Sequence, residues 1–210
     1  MTMGAGRFRS GSTLPAWLLA AAPLAWLGWA TVNDSLGANP VEALAHQTGL
    51  WSLRLLLLAL AMTPLRRLTG WRWPLRVRRA FGVMAFVWAL LHFAIYLVLD
   101  QGLDPVAVWE DVVKRPFITV GFTALVLLVP LAATSTDGMM RRLGGRWKRL
   151  HRLAYVVPVL AVLHFVWLVK VDLREPLIYA AILALLLGLR LRWWLAGRPA
   201  ASTIQTSSRL

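Results

Sequence analysis

The sequence predicts an all-α membrane protein, a bundle of six transmembrane helices with both termini cytoplasmic. Three observations carry that expectation. Of 210 residues, 59% are hydrophobic and only 15% charged, against about a quarter charged in ordinary soluble domains, and the mean hydropathy is +0.62. The apolar residues gather into six runs of roughly 20, the length that crosses a bilayer core. The charges fall in short clusters between those runs.

The runs are 14–32, 48–65, 80–99, 117–134, 153–170 and 176–195. Arg7 and Arg9 precede the first. A cleaved signal peptide ending near Ala20-Ala21-Ala22 is the alternative there, but the run continues through Trp26 and Trp29 to spanning length. Arg54 interrupts the second run near one end, where a guanidinium can snorkel toward the interface. The third follows Arg78-Arg79, the fourth opens after Lys114-Arg115-Pro116, the fifth follows His151-Arg152 and contains Pro158, and the sixth ends in Arg190, Arg192 and two tryptophans. Six spans take about 120 positions, so no separate soluble catalytic domain fits. Residues 1–197 read as one transmembrane domain and the Ser/Thr-rich residues 198–210 as a disordered cytoplasmic tail. No internal repeat of solenoid length is visible, and Gly4-x-Gly6 with Gly11 lacks the spacing and the preceding strand of a dinucleotide fingerprint.

The net charge of +14 reads as membrane flanks rather than as a nucleic-acid surface, because the cations alternate with apolar spans. Arg66, Arg67, Arg72, Arg76, Arg78 and Arg79 fill the second connection; Arg141, Arg142, Arg146, Lys148, Arg149 and Arg152 fill the fourth. The first connection carries Asp34 and Glu42, the third carries four acids against Lys114 and Arg115, and the fifth balances Lys170 and Arg174 against Asp172 and Glu175. Basic connections stay cytoplasmic, which places both termini inside a bacterial inner membrane and runs the third and fifth spans in parallel, inside to outside. With no cysteine, disulfides, thiolate metal sites, iron–sulfur clusters and covalent haem attachment are excluded.

Four histidines remain, at 46, 92, 151 and 164. An ionisable group at membrane depth is costly enough to suggest a function. His92 lies thirteen residues beyond Arg79, and His164 thirteen beyond His151. Both therefore climb about 20 Å along parallel helices to one level in the outer half of the membrane. Two neutral imidazoles facing each other across a bundle suit a six-coordinate haem b, which would carry electrons and leave no iron position for substrate. Two unrelated polar residues bonded to neighbouring carbonyls are the plainer reading.

His151, at an Arg-rich interface, reads either as a solvated histidine or as the ligand of a second, inner haem. On a straight helix it would point about 140° away from His164, so a kink at Pro158 or a frayed helix start is needed to bring both into one seam. Opposite His151 stands Arg78, leaving an inner haem without a histidine from the third span. His46, one turn after Glu42, reads as a surface group or as a metal or quinone contact.

The arrangement resembles a known family. Arg78-Arg79-x-x-Gly82, Phe86-x-Trp88-Ala89-x-Leu91-His92-x-x-x-Tyr96 and Lys114-Arg115-Pro116-Phe117-Ile118-Thr119-x-Gly121 look like MsrQ (YedZ), as do Thr134-Ser135-Thr136, Met140-x-x-Leu143-Gly144-x-x-Trp147-x-x-Leu150-His151, Tyr155, His164, Trp167 and Lys170. MsrQ belongs with the ferric-reductase-like transmembrane proteins. The resemblance implies a haem-binding membrane subunit, with His92, His151 and His164 associated with haem b, one or two per chain. It implies electrons arriving from the quinone pool or a cytoplasmic flavin reductase and leaving for MsrP, a periplasmic molybdopterin methionine sulfoxide reductase that repairs oxidised proteins. It further implies an association with FMN, and no substrate site of the subunit's own.

Two other classes compete. A small solute or ion transporter would more plausibly show acids at the midplane, whereas all nine acids lie in connections or near span ends. A non-redox anchor for a partner would not need a depth-matched histidine pair. Among twelve tryptophans, Trp17, Trp71, Trp73, Trp109, Trp147, Trp193 and Trp194 sit near span ends as interfacial anchors, while Trp88 and Trp167 either pack ordinarily or stack on a macrocycle. The basic connections suit haem propionates or anionic headgroups.

Overall fold

A computed structural model describes residues 13–169 and 171–196. Arg7, Arg9, the Gly4–Gly11 stretch, Lys170 and the 198–210 tail lie outside the described residues. Within them the chain is helical, without strands: α1 (Leu14–Val32), α2 (Pro40–Thr69), α3 (Trp73–Ile95, continued by a π-helical turn, Tyr96–Asp100), α4 (Pro105–Lys114), α5 (Pro116–Ala133), α6 (Asp137–Leu143), α7 (Gly145–Leu150), α8 (Leu153–Leu168) and α9 (Arg174–Ala196). Six stretches are long and apolar enough to span a membrane: α1, α2, α3 with its π turn, α5, α7 with α8, and α9. This is a multi-pass membrane protein.

Local chemistry sets the helix ends. The Asn39 side chain accepts the Glu42 N–H ahead of Pro40, where a missing donor costs nothing, and Gly70 closes α2 at φ 73°. The cap starts α2 well before the apolar run at residue 48, so polar Glu42, His46 and Gln47 belong to the helix. Asp104 caps α4 through the N–H groups of Val106 and Ala107, and Gly144 at φ 50° separates α6 from α7. The fifth span is interrupted at His151-Arg152, between α7 and α8, whereas Pro158 sits buried inside α8. Of the two breaks considered for that span, the helix is interrupted at His151 and runs on through Pro158.

Helices α2, α3, α5 and α8 pack pairwise around a closed ring, α2 against α3, α3 against α5, α5 against α8 and α8 against α2. Helices α3 and α8 stand diagonally. Helix α1 covers α3 from outside and α9 covers α8 and α2. Small residues allow the close approaches: Ala20 and Ala85 are almost wholly buried, the Trp88 indole N–H donates to the Ala20 carbonyl at 3.0 Å, and the Ser52 hydroxyl donates to the Ala85 carbonyl at 2.9 Å. Trp88 is fully buried and stacks on Trp51, so it serves packing between α1, α2 and α3. Trp167 is exposed, as are Trp71, Trp73, Trp109 and Trp194. The outward surface is rich in exposed Leu, Val and Ile, including Leu18, Leu19, Val129 and Leu185, which suits lipid as the surrounding solvent.

Eight of the nine acids lie toward one end of the bundle and the arginine clusters toward the other. Cross-links within each end hold the spans in register. At the acidic end the Arg54 Nε–H donates to the Tyr179 hydroxyl at 2.8 Å and a second guanidinium nitrogen lies 3.9 Å from Glu175, so Arg54 does reach from mid-helix toward an end. His46 pairs with the same Glu175 at 3.7 Å, while Glu42 is taken by Asn39. At the basic end Arg79 pairs with Asp137.

Candidate functional site

His92 on α3 and His164 on α8 meet inside the ring of four helices. Their ring centroids lie 6.3 Å apart and the planes cross at 78°. Each ring is anchored by the helix beside its own: His92 Nδ1–H donates to the Ala45 carbonyl of α2 at 2.8 Å, and His164 Nδ1–H donates to the Phe117 carbonyl of α5 at 2.6 Å. A carbonyl can only accept, so the bond fixes the tautomer. Both Nε2 atoms keep a free lone pair. Metal-bound histidines are held in this way, with the second nitrogen donating to a backbone carbonyl that orients the ring and raises its basicity.

The spacing fits one shared metal ion. A metal–imidazole nitrogen bond is about 2 Å, and the nitrogen lies about 1 Å from its ring centroid, so two ligands on opposite sides of one ion put their centroids roughly 6 Å apart. Elsewhere the described residues hold no cluster of three or more metal-ligating side chains. The pair thus suits a metal whose other positions are filled by something other than protein. A porphyrin supplies four such nitrogens, and Phe93, Phe117 and Phe122 gather nearby: Phe117 lies 6.1 Å from the His164 ring and Phe93 lies 5.8 Å from Phe122.

Two glycines give the rings room. A Cβ added at Gly121 would stand 2.7 Å from His164 Nδ1, and one at Gly49 would stand 3.3 Å from His92 Nδ1 and Cε1. Thr48, fully buried, donates its hydroxyl to the Leu44 and Ala45 carbonyls and places its oxygen 3.4 Å from His92 Nδ1. Sequence reasoning found the two histidines and missed this surround. A backbone carbonyl leaves no mark in a sequence, but Gly49 precedes His92 by the same interval as Gly121 precedes His164, and that equality was the available signal.

His151 stands apart, at the basic end. It forms the C-terminal boundary of α7, its ring stacks on Trp147 at 3.8 Å, and its Nδ1–H donates to the Trp147 carbonyl at 3.2 Å. Its Nε2 is buried without a well-formed hydrogen bond, although the Leu131 carbonyl also lies within reach of the ring. Arg78 lies within electrostatic reach, as the sequence predicts, and no second histidine approaches. Arg190 of α9 crosses the same end, donating to the Tyr155 hydroxyl at 2.7 Å and the Leu60 carbonyl at 2.5 Å, with its Nε buried and unpartnered.

Comparison with known proteins gives the family. The profile of the family described as "Ferric reductase like transmembrane component" matches residues 48–162, a stretch that includes Thr48, Gly49, His92, Gly121 and His151. The chain is 53% identical to the protein-methionine-sulfoxide reductase heme-binding subunit MsrQ of Ralstonia nicotianae, over 88% of this chain and 87% of that one. It belongs to the MsrQ family of ferric-reductase-like transmembrane proteins. Two further MsrQ relatives are the heme-binding subunits of Xanthomonas campestris pv. campestris, 57% identical over 80% of each chain, and of Rhodospirillum rubrum, 56% identical over 80% of this chain and 82% of that one. No solved structure matches.

Proposed function

We propose that the chain is the haem b-binding membrane subunit of a methionine sulfoxide reductase system and carries electrons across the bilayer to a partner enzyme. One observation carries the proposal: the His92–His164 pair, with both Nδ1 atoms committed to carbonyls and ring centroids spaced for a single iron. Its MsrQ relatives are named as heme-binding subunits. A bound haem supplies a one-electron couple that needs no proton or substrate at the iron. The chain's residues supply the rest. His92 and His164 hold the group at fixed depth, Ala45 and Phe117 orient the two rings, and the surrounding apolar helices keep water from the site.

By the preference of basic connections for the inner side, the arginine-rich end faces the cytoplasm of a bacterial cell and the acidic end the periplasm. The His92–His164 level then lies nearer the periplasm, where a soluble acceptor such as MsrP collects electrons. A quinol from the membrane or a cytoplasmic flavin reductase is the donor. His151, with its free buried Nε2, holds a second haem on the cytoplasmic side, and Arg78 and Arg190 offer charge to its carboxylates. FMN is an additional cofactor of the system to which no residue of this chain is assigned.

The purified protein reconstituted in liposomes tests this. Its haem, reduced by a quinol or by flavin reductase, is expected to be reoxidised by MsrP only when methionine sulfoxide is supplied. A colourless preparation after expression with ample haem, or a reduced haem indifferent to MsrP and substrate, defeats the proposal.

A further inference from the structure

The two halves of the histidine site repeat one construction. In each, a carbonyl on one helix accepts from an imidazole Nδ1–H on the next spanning helix of its pair, and in each the histidine follows the carbonyl residue by 47 positions. In each, a glycine stands one helical turn after the carbonyl residue, Gly49 after Ala45 and Gly121 after Phe117, with its missing Cβ directed at the same imidazole. The helices involved, α2 with α3 and α5 with α8, are the two most extensively packed pairs. The other described helical glycines, Gly28, Gly82, Gly138, Gly145 and Gly188, have open space where a Cβ would go, so among the described residues contact with a histidine is peculiar to these two.

We infer that Gly49 and Gly121, with the carbonyls of Ala45 and Phe117, are the positioning residues of a duplicated cradle that sets the angle and electron density of both axial imidazoles. The inference rests on the proposed haem at His92 and His164. A helix normally covers its carbonyls with side chains one turn on. Glycine at that place lets the ring lie flat against the backbone and reach the carbonyl, which already accepts one bond within its own helix. The cradles sit on opposite sides of the ring of helices, and the two imidazole planes meet crossed, at 78°. Crossed imidazole planes on a low-spin ferric haem give a single, strongly shifted low-field electron paramagnetic resonance line, where parallel planes give a three-line rhombic spectrum.

The test uses the full-length protein purified with its haem. Wild type is expected to show the single low-field line. Gly121→Ala puts a methyl group 2.7 Å from Nδ1 and is expected to break the bond to Phe117, weakening haem retention at this site about 10- to 100-fold, as loss of an orienting partner does at metal sites. Gly49→Ala meets a 3.3 Å contact and is expected to keep the haem while moving the low-field line and the midpoint potential. Gly82→Ala, facing open space, is expected to match wild type. If Gly121→Ala does not accumulate in the membrane, Gly49→Ala decides. A folded Gly121→Ala with wild-type haem content, line position and potential overturns the inference, as does an unchanged Gly49→Ala. His92→Ala and His164→Ala separate the two claims: if they retain all haem, the haem reading itself fails, and if they lose it while the glycine variants behave as Gly82→Ala, only the cradle fails.

Discussion

The acidic and basic halves of the bundle each hold half-buried histidine, and they treat it differently. Toward the acidic end two imidazoles are locked by carbonyls of neighbouring helices and face each other with ring centroids 6.3 Å apart. Toward the basic end one imidazole stacks on Trp147, leaves Nε2 unpartnered, and shares its surroundings with Arg78 and Arg190. The first site is made by backbone and needs only close helix approach. The second combines a stacked indole and the Trp147 carbonyl with a nearby guanidinium, Arg78. A facing pair of histidines thus arises where helix pairs repeat, and a single histidine near Arg78 arises where the fifth span breaks into α7 and α8.

Removing a ligand from the repeated half is expected to have the largest effect. His92→Ala or His164→Ala should each abolish the low-spin b-type signal of the acidic-end haem, because either loss leaves one axial position unfilled. Optical spectra and pyridine haemochromogen counts check this. Two variants with intact low-spin spectra would remove the contrast between the halves.

His151→Ala comes next. It should lower haem content from two per polypeptide to one while leaving the low-field resonance of the His92–His164 haem in place. A count that does not change would make His151 a packing residue stacked on Trp147 and confine the cofactor to the acidic half.

Arg190→Leu should act on stability and on the cofactor proposed at His151, and leave the His92–His164 pair untouched. It removes the bonds to the Tyr155 hydroxyl and the Leu60 carbonyl that tie α9 to α8 and α2. Charged hydrogen bonds of this kind are worth about 1–2 kcal/mol, and polar contacts in membranes fall at the lower end. Thermal unfolding in detergent measures the loss; an equal loss of the low-spin signal would mean that the two halves are not independent.

The six spans were legible because hydrophobic length is dictated by the bilayer, and the histidine pair because thirteen residues separate each from a basic boundary. Helix ends were less legible. Helix α2 starts at Pro40, not near residue 48, because the Asn39 cap decides where hydrogen bonding begins and hydropathy is blind to it. The short helices α4, α6 and α7 lie within connections read only for their charge. The fifth span breaks at His151-Arg152, whereas Pro158, the more obvious breaker, stays inside α8. Ala45 and Phe117 could not be read as site residues at all, since what they contribute is a carbonyl that every residue has.

The smallest expected effect concerns a difference between the two cradles themselves. The Ala45 carbonyl is shared, accepting from the Thr48 hydroxyl at 3.0 Å as well as from His92 at 2.8 Å, and the His92 bond is the longer of the two histidine anchors. Three residues after Phe117 the second cradle has Val120, so its carbonyl meets no hydroxyl from that position. Thr48→Val therefore makes the first cradle chemically like the second without changing side-chain shape. With the competing donor gone, Ala45 accepts more fully from His92, the imidazole gains electron density, and the ferric state is favoured. The midpoint potential of the acidic-end haem should fall by about 20 mV, corresponding to roughly 0.5 kcal/mol for a one-electron couple. Potentiometric titration resolves such a shift. A rise would mean that Thr48 supports the ring rather than competes for its acceptor, and the two cradles would then differ in kind.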